Sequence, residues 1–183
     1  TAKVSVHVAA FNQEPYLAQC LESILNAGFD DIEILVFNDG SSDGTLAIAE
    51  SFNARDCRIK AINSPENLGC TNAHKRMLDQ TASPYVLILD ADDILLPGNL
   101  IRQVGILDQV PSCVGVYGKM LRVDEKLNYL GSALGQPFSR FLLALHNPIG
   151  HCGTLFRRSA AIDAGGYFNP FNDPDFFCED YFL

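Results

Sequence analysis

Positive charge is scarce in this chain. Thirteen Lys and Arg stand against 22 Asp and Glu, a formal net charge of −9 with a pI near 4.7. That balance argues against nucleic acid or an anionic membrane as the main partner. It leaves room for an anionic nucleotide, because a bound cation and backbone N–H groups can supply positive field locally. Apolar runs of membrane-spanning length are missing, and no signal peptide is visible, since Thr1-Ala2-Lys3 leads straight into a strand pattern. The expected location is cytoplasmic. A longer parent protein with a membrane attachment would put this piece at the cytoplasmic face. C-x-x-C pairs are absent among Cys20, Cys57, Cys70, Cys113, Cys152 and Cys178. The pattern points away from disulfide staples and zinc and toward free thiols in a reducing compartment. Internal repeats and low-complexity tracts are absent too.

What is present is enough for one sizeable core: 183 residues, 48% hydrophobic and 19% charged. Strand-like and helix-like segments alternate over the first hundred residues. Lys3 to Ala9 alternates, with Val4, Val6 and Val8 on one face and His7 on the other. Pro15 to Ala27 has helical spacing, Pro15 suiting a first turn and Gly28 a stop. Ile32 to Phe37 is a continuous apolar run, as in a strand covered on both sides. A helix over Asp43–Phe52 follows, with Leu46, Ala49 and Phe52 inward. Then come a strand over Arg58–Asn63, a helix over Thr71–Gln80, a strand over Tyr85–Leu89 and a helix over Pro97–Gln109. Such alternation predicts an α/β fold with a mainly parallel sheet and right-handed crossovers. Beyond Ser112 the pattern is mixed. A strand is expected over Val114–Val123, a polar turn at Asp124–Asn128 before Tyr129-Leu130, a short helix over Phe138–Leu145 and a strand at Thr154–Phe156 leading to Ser159–Ala164. The remainder reads as a site-forming loop, because Phe168, Phe171, Phe176, Phe177 and Tyr181 are too apolar for a tail.

Ligands of such sheets bind beyond the carboxyl ends of the strands. That rule gathers Ala10-Phe11-Asn12, Asn38-Asp39-Gly40 and Asp90-Ala91-Asp92 on one rim. The last is the strongest signal, since the buried-strand pattern Tyr85–Leu89 ends in Asp90, Asp92 and Asp93, and stability alone gives no reason for it. In an extended segment Asp90 and Asp92 would leave the same face. Their mutual repulsion suits a hard divalent cation that also holds phosphates. Asn38–Thr45 is explained in large part as a turn with a capped helix, Gly40 at positive φ and Asp43 as cap; Asp39 is not, and it can accept a hydrogen bond from a base N–H. Asn67-Leu68-Gly69 before Thr71-Asn72 offers N–H groups to phosphate or ribose, and equally reads as a plain turn. Glu179-Asp180 reads as a helix start or, beside a metal–nucleotide site, as a general base. His151 reads as a loop histidine or a phosphate or metal contact, and His74 and His146 join no constellation.

With these segments in hand, the chain resembles family 2 glycosyltransferases of the GT-A fold. The resemblance rests on Val4–Asn12, Asn38–Thr45, Asn67-Leu68-Gly69, Asp90-Ala91-Asp92-Asp93, Gly165-Gly166-Tyr167 and Glu179-Asp180-Tyr181 in family order. It covers essentially all 183 residues as one domain: 1–111 as the nucleotide-sugar-binding half, 112–183 as the start of an acceptor-side half. The implied activity is transfer of a sugar, with inversion, from a nucleotide-sugar donor, UDP in most members, to a hydroxyl of a glycan, lipid or protein. By resemblance Asp39 contacts the base and Phe11 flanks it, while Ala9, Ala10, Asn67, Gly69 and Ala91 complete the donor site. Asp90 lies near the ribose, Asp92 binds Mg²⁺ or Mn²⁺, and Asp180 is the base, with Glu179 the neighbouring alternative. Ala9-Ala10-Phe11 stands where many members carry Pro-Thr-Tyr, and Ala73-His74-Lys75 where Ala-Arg-Asn is common. The chain also ends where acceptor-binding segments normally continue, which implies a fragment that binds donor without completing transfer.

Two other functions fit parts of the pattern. A nucleotidyltransferase would need a Gly-rich basic loop near the first strand, and Ala9–Gln13 is not one. A non-catalytic nucleotide-sugar or glycan-binding module would share the rim without the base.

Overall fold

A computed structural model describes residues 1–133, 139 and 149–167. A six-stranded sheet forms its centre. β1 (Val4–Ala10), β2 (Ile32–Asp39), β3 (Ile59–Ser64) and β4 (Tyr85–Ile88) run parallel in the order β3-β2-β1-β4. β5 (Gly115–Val116) lies at the far edge. Between β4 and β5, and antiparallel to both, runs β8 (Leu155–Arg157). β6 (Met120–Val123) and β7 (Tyr129–Ala133) form a separate antiparallel hairpin. Helices α1 (Leu17–Leu25), α2 (Thr45–Arg55), α3 (Cys70–Gln80), α4 (Asn99–Gln109) and α5 (Arg158–Asp163) supply the crossovers and cover. This is the expected α/β arrangement of the GT-A kind.

Both faces of the sheet are buried. On one, Val4, Val6, Val8, Ile34, Val36 and Leu87 pack against Leu17, Leu21 and Ile24 of α1, Ala49 and Phe52 of α2, and Leu100, Val104 and Leu107 of α4. On the other, Leu35 and Phe37 meet Ala73 and Met77 of α3, while Val86 and Ile88 meet Leu78, Ala161 and Tyr167. Double coverage explains the unbroken apolar run in β2. It also buries Ser5 and His7 completely.

Several boundaries differ from expectation, each for a tertiary reason. α1 begins at Leu17 instead of Pro15, because the Gln13 and Glu14 amides are held by Thr45 Oγ1 (2.7 Å) and Asp43 Oδ2 (3.1 Å) and keep that stretch in a turn. α4 begins at Asn99, after Gly98 turns left-handed (φ 74°) and donates its amide to Ala27 O. In α2 the buried face is Thr45, Ala49 and Phe52, and Leu46 is only half-buried. The strand expected over Val114–Val123 is two strands in two sheets, since β5 pairs with β8 and β6 with β7. The Asp124 carboxylate gathers the Lys126 and Asn128 amides and the Asn128 side chain, forming the expected polar turn. The helix expected over Phe138–Leu145 lies outside the described residues, Ser139 aside.

Burial keeps two histidines neutral. His7 is pushed down to about 3, and His74 lies well below its ordinary range, lowered by burial and then by neighbouring His151 and His7. The unfolded chain takes up protons on both near 6.5, so acid favours unfolding. The midpoint of thermal unfolding is therefore expected to fall between pH 7 and pH 5, an interval in which few carboxylates titrate. A midpoint that stays constant across it would contradict neutral burial of these rings.

Candidate functional site at the carboxyl ends of the strands

Register places the strand tips together. Ala10 pairs with Asn38 and Asn38 with Asn63, while Asp39 pairs with Ser64. His7 pairs with Ile88, the last residue of β4, and the Leu89 amide continues the line by bonding His7 O at 3.1 Å. Asp39 and the acidic turn after β4 therefore occupy the same edge of the sheet.

The tips of β1 and β2 are laced together. The Asn12 amide donates to Ser41 Oγ (3.0 Å), and Asn12 Oδ1 accepts the Ser42 amide (2.9 Å). Asn12 has a positive φ of 52°, a conformation asparagine tolerates better than most residues. Glu14 reaches across to accept the Gly44 amide at 2.9 Å, tying the start of α2 to the β1 tip. Asp43, expected as the helix cap, lies one residue before the cap Gly44 and still accepts the Thr45 amide at 3.0 Å. Phe11 is 45% exposed at the mouth of this loop pair, beside half-buried Ala9 and buried Ala10.

Asp39 is only 4% exposed. Its Oδ1 accepts the Leu68 amide at 2.7 Å, which joins β2 to the turn that starts α3. Burial raises its pKa, opposed by the Leu68 and Gly69 amides and the charge of Arg76. Asn67, exposed, closes the turn by accepting the Gly69 amide at 2.9 Å, and Asn72 Nδ2 donates to Leu68 O at 2.7 Å. Asn38 Nδ2 donates to Asn63 Oδ1 at 2.8 Å, while its own buried Oδ1 has no partner among the described residues. Gly40 sits where the two turns touch, at φ 70°, and a Cβ there would lie 2.6 Å from Asn67 N and Glu66 C.

The acidic segment is a tight turn. β4 ends at Ile88, and the Asp93 amide bonds Asp90 O at 3.0 Å. The extended geometry that would align Asp90 with Asp92 is thus replaced, because Ala91 is buried in the core and forces the chain to fold back. Asp90 is half-buried and Asp92 and Asp93 are exposed. Among the described residues Asp90, Asp93 and Cys152 bring ligand atoms within 4.8 Å of one another, and Asp92, the residue expected to hold the metal, is not part of that cluster. Two thiols hold the Asp90 backbone, Cys152 Sγ at 3.5 Å from its amide and Cys20 Sγ at 3.5 Å from its carbonyl oxygen. Burial and then the neighbouring acids push both thiols upward, so they remain protonated. The oxygen donors fit a hard cation such as Mg²⁺ or Mn²⁺, and the protonated thiols do not compete as soft ligands.

Ala9, Ala10, Phe11, Asp39, Asn67, Gly69, Asp90, Ala91 and Asp92 all lie on this rim. Glu179 and Asp180 lie outside the described residues. Sequence reasoning missed Glu14, Cys20 and Cys152. No local pattern marks them, because each acts on a backbone group 30, 70 or 62 residues away.

Gly40→Ala is expected to destabilise the chain by about 1–3 kcal/mol, from strain at positive φ and the enforced separation of the two turns. Urea unfolding measures it; a loss under about 0.5 kcal/mol, the size of an ordinary surface substitution, would mean that the turns part freely.

The model of "Glycosyl transferase family 2" matches residues 5–165. An uncharacterized glycosyltransferase of Haemophilus influenzae is 35% identical over 131 residues, 70% of this chain and 40% of that protein. The GalNAc(5)-diNAcBac-PP-undecaprenol beta-1,3-glucosyltransferase of Campylobacter jejuni is 38% identical over 99 residues, 54% of this chain and 32% of that one. This chain therefore spans well under two thirds of these relatives. Among solved structures, S. aureus TarS 1-349 in complex with UDP-GlcNAc superposes with a TM-score of 0.76 at 23% identity, over 98% of this chain and 51% of that chain. The mannosyltransferase PcManGT from Pyrobaculum calidifontis, in complex with GDP-Man and Mn²⁺, gives 0.69 at 18% identity, over 90% and 47%. At such identities the structural likeness speaks for the fold.

Proposed function

The chain belongs to glycosyl transferase family 2, and from that premise we propose that it forms the donor-binding part of an inverting glycosyltransferase. Its donor is a nucleotide-sugar, UDP-linked, and its acceptor a hydroxyl on a glycan or a lipid carrier. The names of the relatives, one acting on an undecaprenol-linked glycan, support that acceptor class. The observation that carries the reading is the convergence of Asp39 and the Asp90–Asp93 turn on one rim.

Each rim residue has a role in this reading. Asp39 accepts the imide N–H of the base, held in place by the Leu68 amide. Phe11 covers the base from the exposed side, and Ala9 and Ala10 line its slot through their backbone. Asn67 and Gly69 bound the nucleoside from the third turn. Asp90 accepts from the ribose, its orientation maintained by the thiols on its amide and carbonyl. Asp92 would hold Mg²⁺ or Mn²⁺, as the resemblance implies, with Ala91 anchoring the turn in the core and the carboxylates of Asp90 and Asp93 gathered beside it. A cation bound there neutralises the diphosphate leaving group. Asp180 takes the proton from the acceptor hydroxyl on the opposite side of the sugar, a gain of about 10²–10⁴-fold for general-base catalysis. In a chain of net charge −9 a cation there supplies positive field that an anionic donor otherwise lacks. Among the described residues no helix is long and apolar enough to cross a membrane.

Calorimetry with UDP and Mn²⁺ tests the donor site. The wild-type chain should bind only with metal present, and Asp92→Ala should weaken binding at least about tenfold. Failure of the wild type to bind UDP under any metal condition defeats the reading. In a longer form of the protein that transfers sugar, Asp180→Asn should abolish transfer and leave UDP affinity unchanged; retained transfer would move the base elsewhere.

A further inference from the structure

Beneath the rim, on the α3 face of the sheet, lies a group of rings that the donor site does not use. His74 sits one turn into α3 and is fully buried. Its ring stacks on Tyr167, with centroids 5.3 Å apart and planes 25° apart, and meets His151 edge-on at 5.3 Å and 87°. Among the described residues neither Nδ1 nor Nε2 of His74 has a hydrogen-bond partner. An imidazole buried with both nitrogens unmet loses its hydration without return, and a phenyl ring would fill the same slot at no such cost. An orphaned polar group of this kind calls for a reason beyond packing.

Its position suggests one. α3 starts at the turn whose Leu68 amide binds Asp39, so the His74 backbone moves with the base-side tip. His151 adjoins Cys152, whose sulfur meets the Asp90 amide, and Gly153, whose amide bonds Ile88 O at 2.7 Å. The His74–His151 contact therefore joins the base-side tip to the acidic tip. Tyr167, on the other side of the ring, closes the Gly165-Gly166-Tyr167 turn and packs on Leu78 and Ile88.

We propose that His74 is a positioning residue that couples the two tips of the donor rim, and that its ring nitrogens gain a hydrogen-bond partner when a nucleoside diphosphate and a divalent cation load that rim. This rests on the donor-site reading above. His74 touches no substrate. Loading brings a cation to the Asp90–Asp93 turn and a base to Asp39, the two tips settle against each other, and the ring at their joint exchanges an unmet state for a bonded one.

The test uses the whole chain and two measurements. Long-range ¹H–¹⁵N spectra of the histidine rings, assigned through the backbone, should show a His74 ring nitrogen shifting when UDP and Mg²⁺ are added together, and not with uridine alone. In calorimetry His74→Phe should bind uridine as the wild type does, melt no lower than the wild type, and bind UDP–Mg²⁺ about tenfold more weakly, roughly the size of one hydrogen bond. A purely structural ring would change both ligands equally or neither. If UDP–Mg²⁺ binds and the His74 nitrogens stay where they were, or if His74→Phe binds UDP–Mg²⁺ like the wild type, the proposal is overturned. Should the variant fail to fold, the wild-type spectra decide alone. If the wild type binds no UDP with any cation, the donor-site reading fails first and this proposal falls with it.

Discussion

The bond from the Leu68 amide to the Asp39 carboxylate, 2.7 Å long and part-buried, is the constraint on which the rim depends. It spans 29 residues and ends β2 against the start of α3. A carboxylate at 4% exposure would be costly unless its oxygens were met. Here backbone amides meet it, and burial still holds its pKa above the ordinary carboxylate value. The same contact brings two turns so close that only a residue without a Cβ fits at position 40. With β2 and α3 joined, the lacing of Asn12, Glu14 and Ser41 brings the β1 tip in line.

The acidic turn is organised by the opposite strategy. Its backbone is held by two weak thiol contacts and its side chains are left half-exposed or exposed. Asp90, Asp92 and Asp93 within four residues repel one another, so the turn is stable only with its backbone anchored or a cation between the carboxylates. Buried Ala91 and Leu95 supply the anchor. Raised thiol pKa values keep Cys20 and Cys152 from adding further negative charge to a crowded place. A buried acid on one side and an exposed acidic turn on the other suit a ligand with one hydrogen-bonding end and one end that carries a divalent cation.

The ring cluster of His74, His151 and Tyr167 ties the nucleotide-side elements to the segment around β8. β8 runs against its neighbours, and its loop returns to the rim through Gly153 and Cys152. Arg157 reinforces that return from the far end, donating to the carbonyls of Cys113 and Leu107. The sheet edge beyond β4 is thus built from residues distant in sequence.

Much of this was legible from residue order. Alternation in Val4–Val8, the apolar run of Ile32–Phe37 and helical spacing in Pro15–Ala27 and Thr71–Gln80 are local patterns with one buried solution each, so the mainly parallel sheet and the rim membership of Asp39 and Asp90 follow from general topology. Order alone could not show that Val114–Val123 divides between two sheets, that Asp90 folds back toward Asp93, or that His74 enters a ring stack. Nor could it assign Glu14, Cys20 and Cys152 to the backbone groups they hold. Those outcomes rest on contacts between segments tens of residues apart. The chain by itself determined which stretches bury and which end in acid; only the tertiary structure decided which side chain meets which backbone amide, because directional bonds form after the strands are aligned and no local period encodes them.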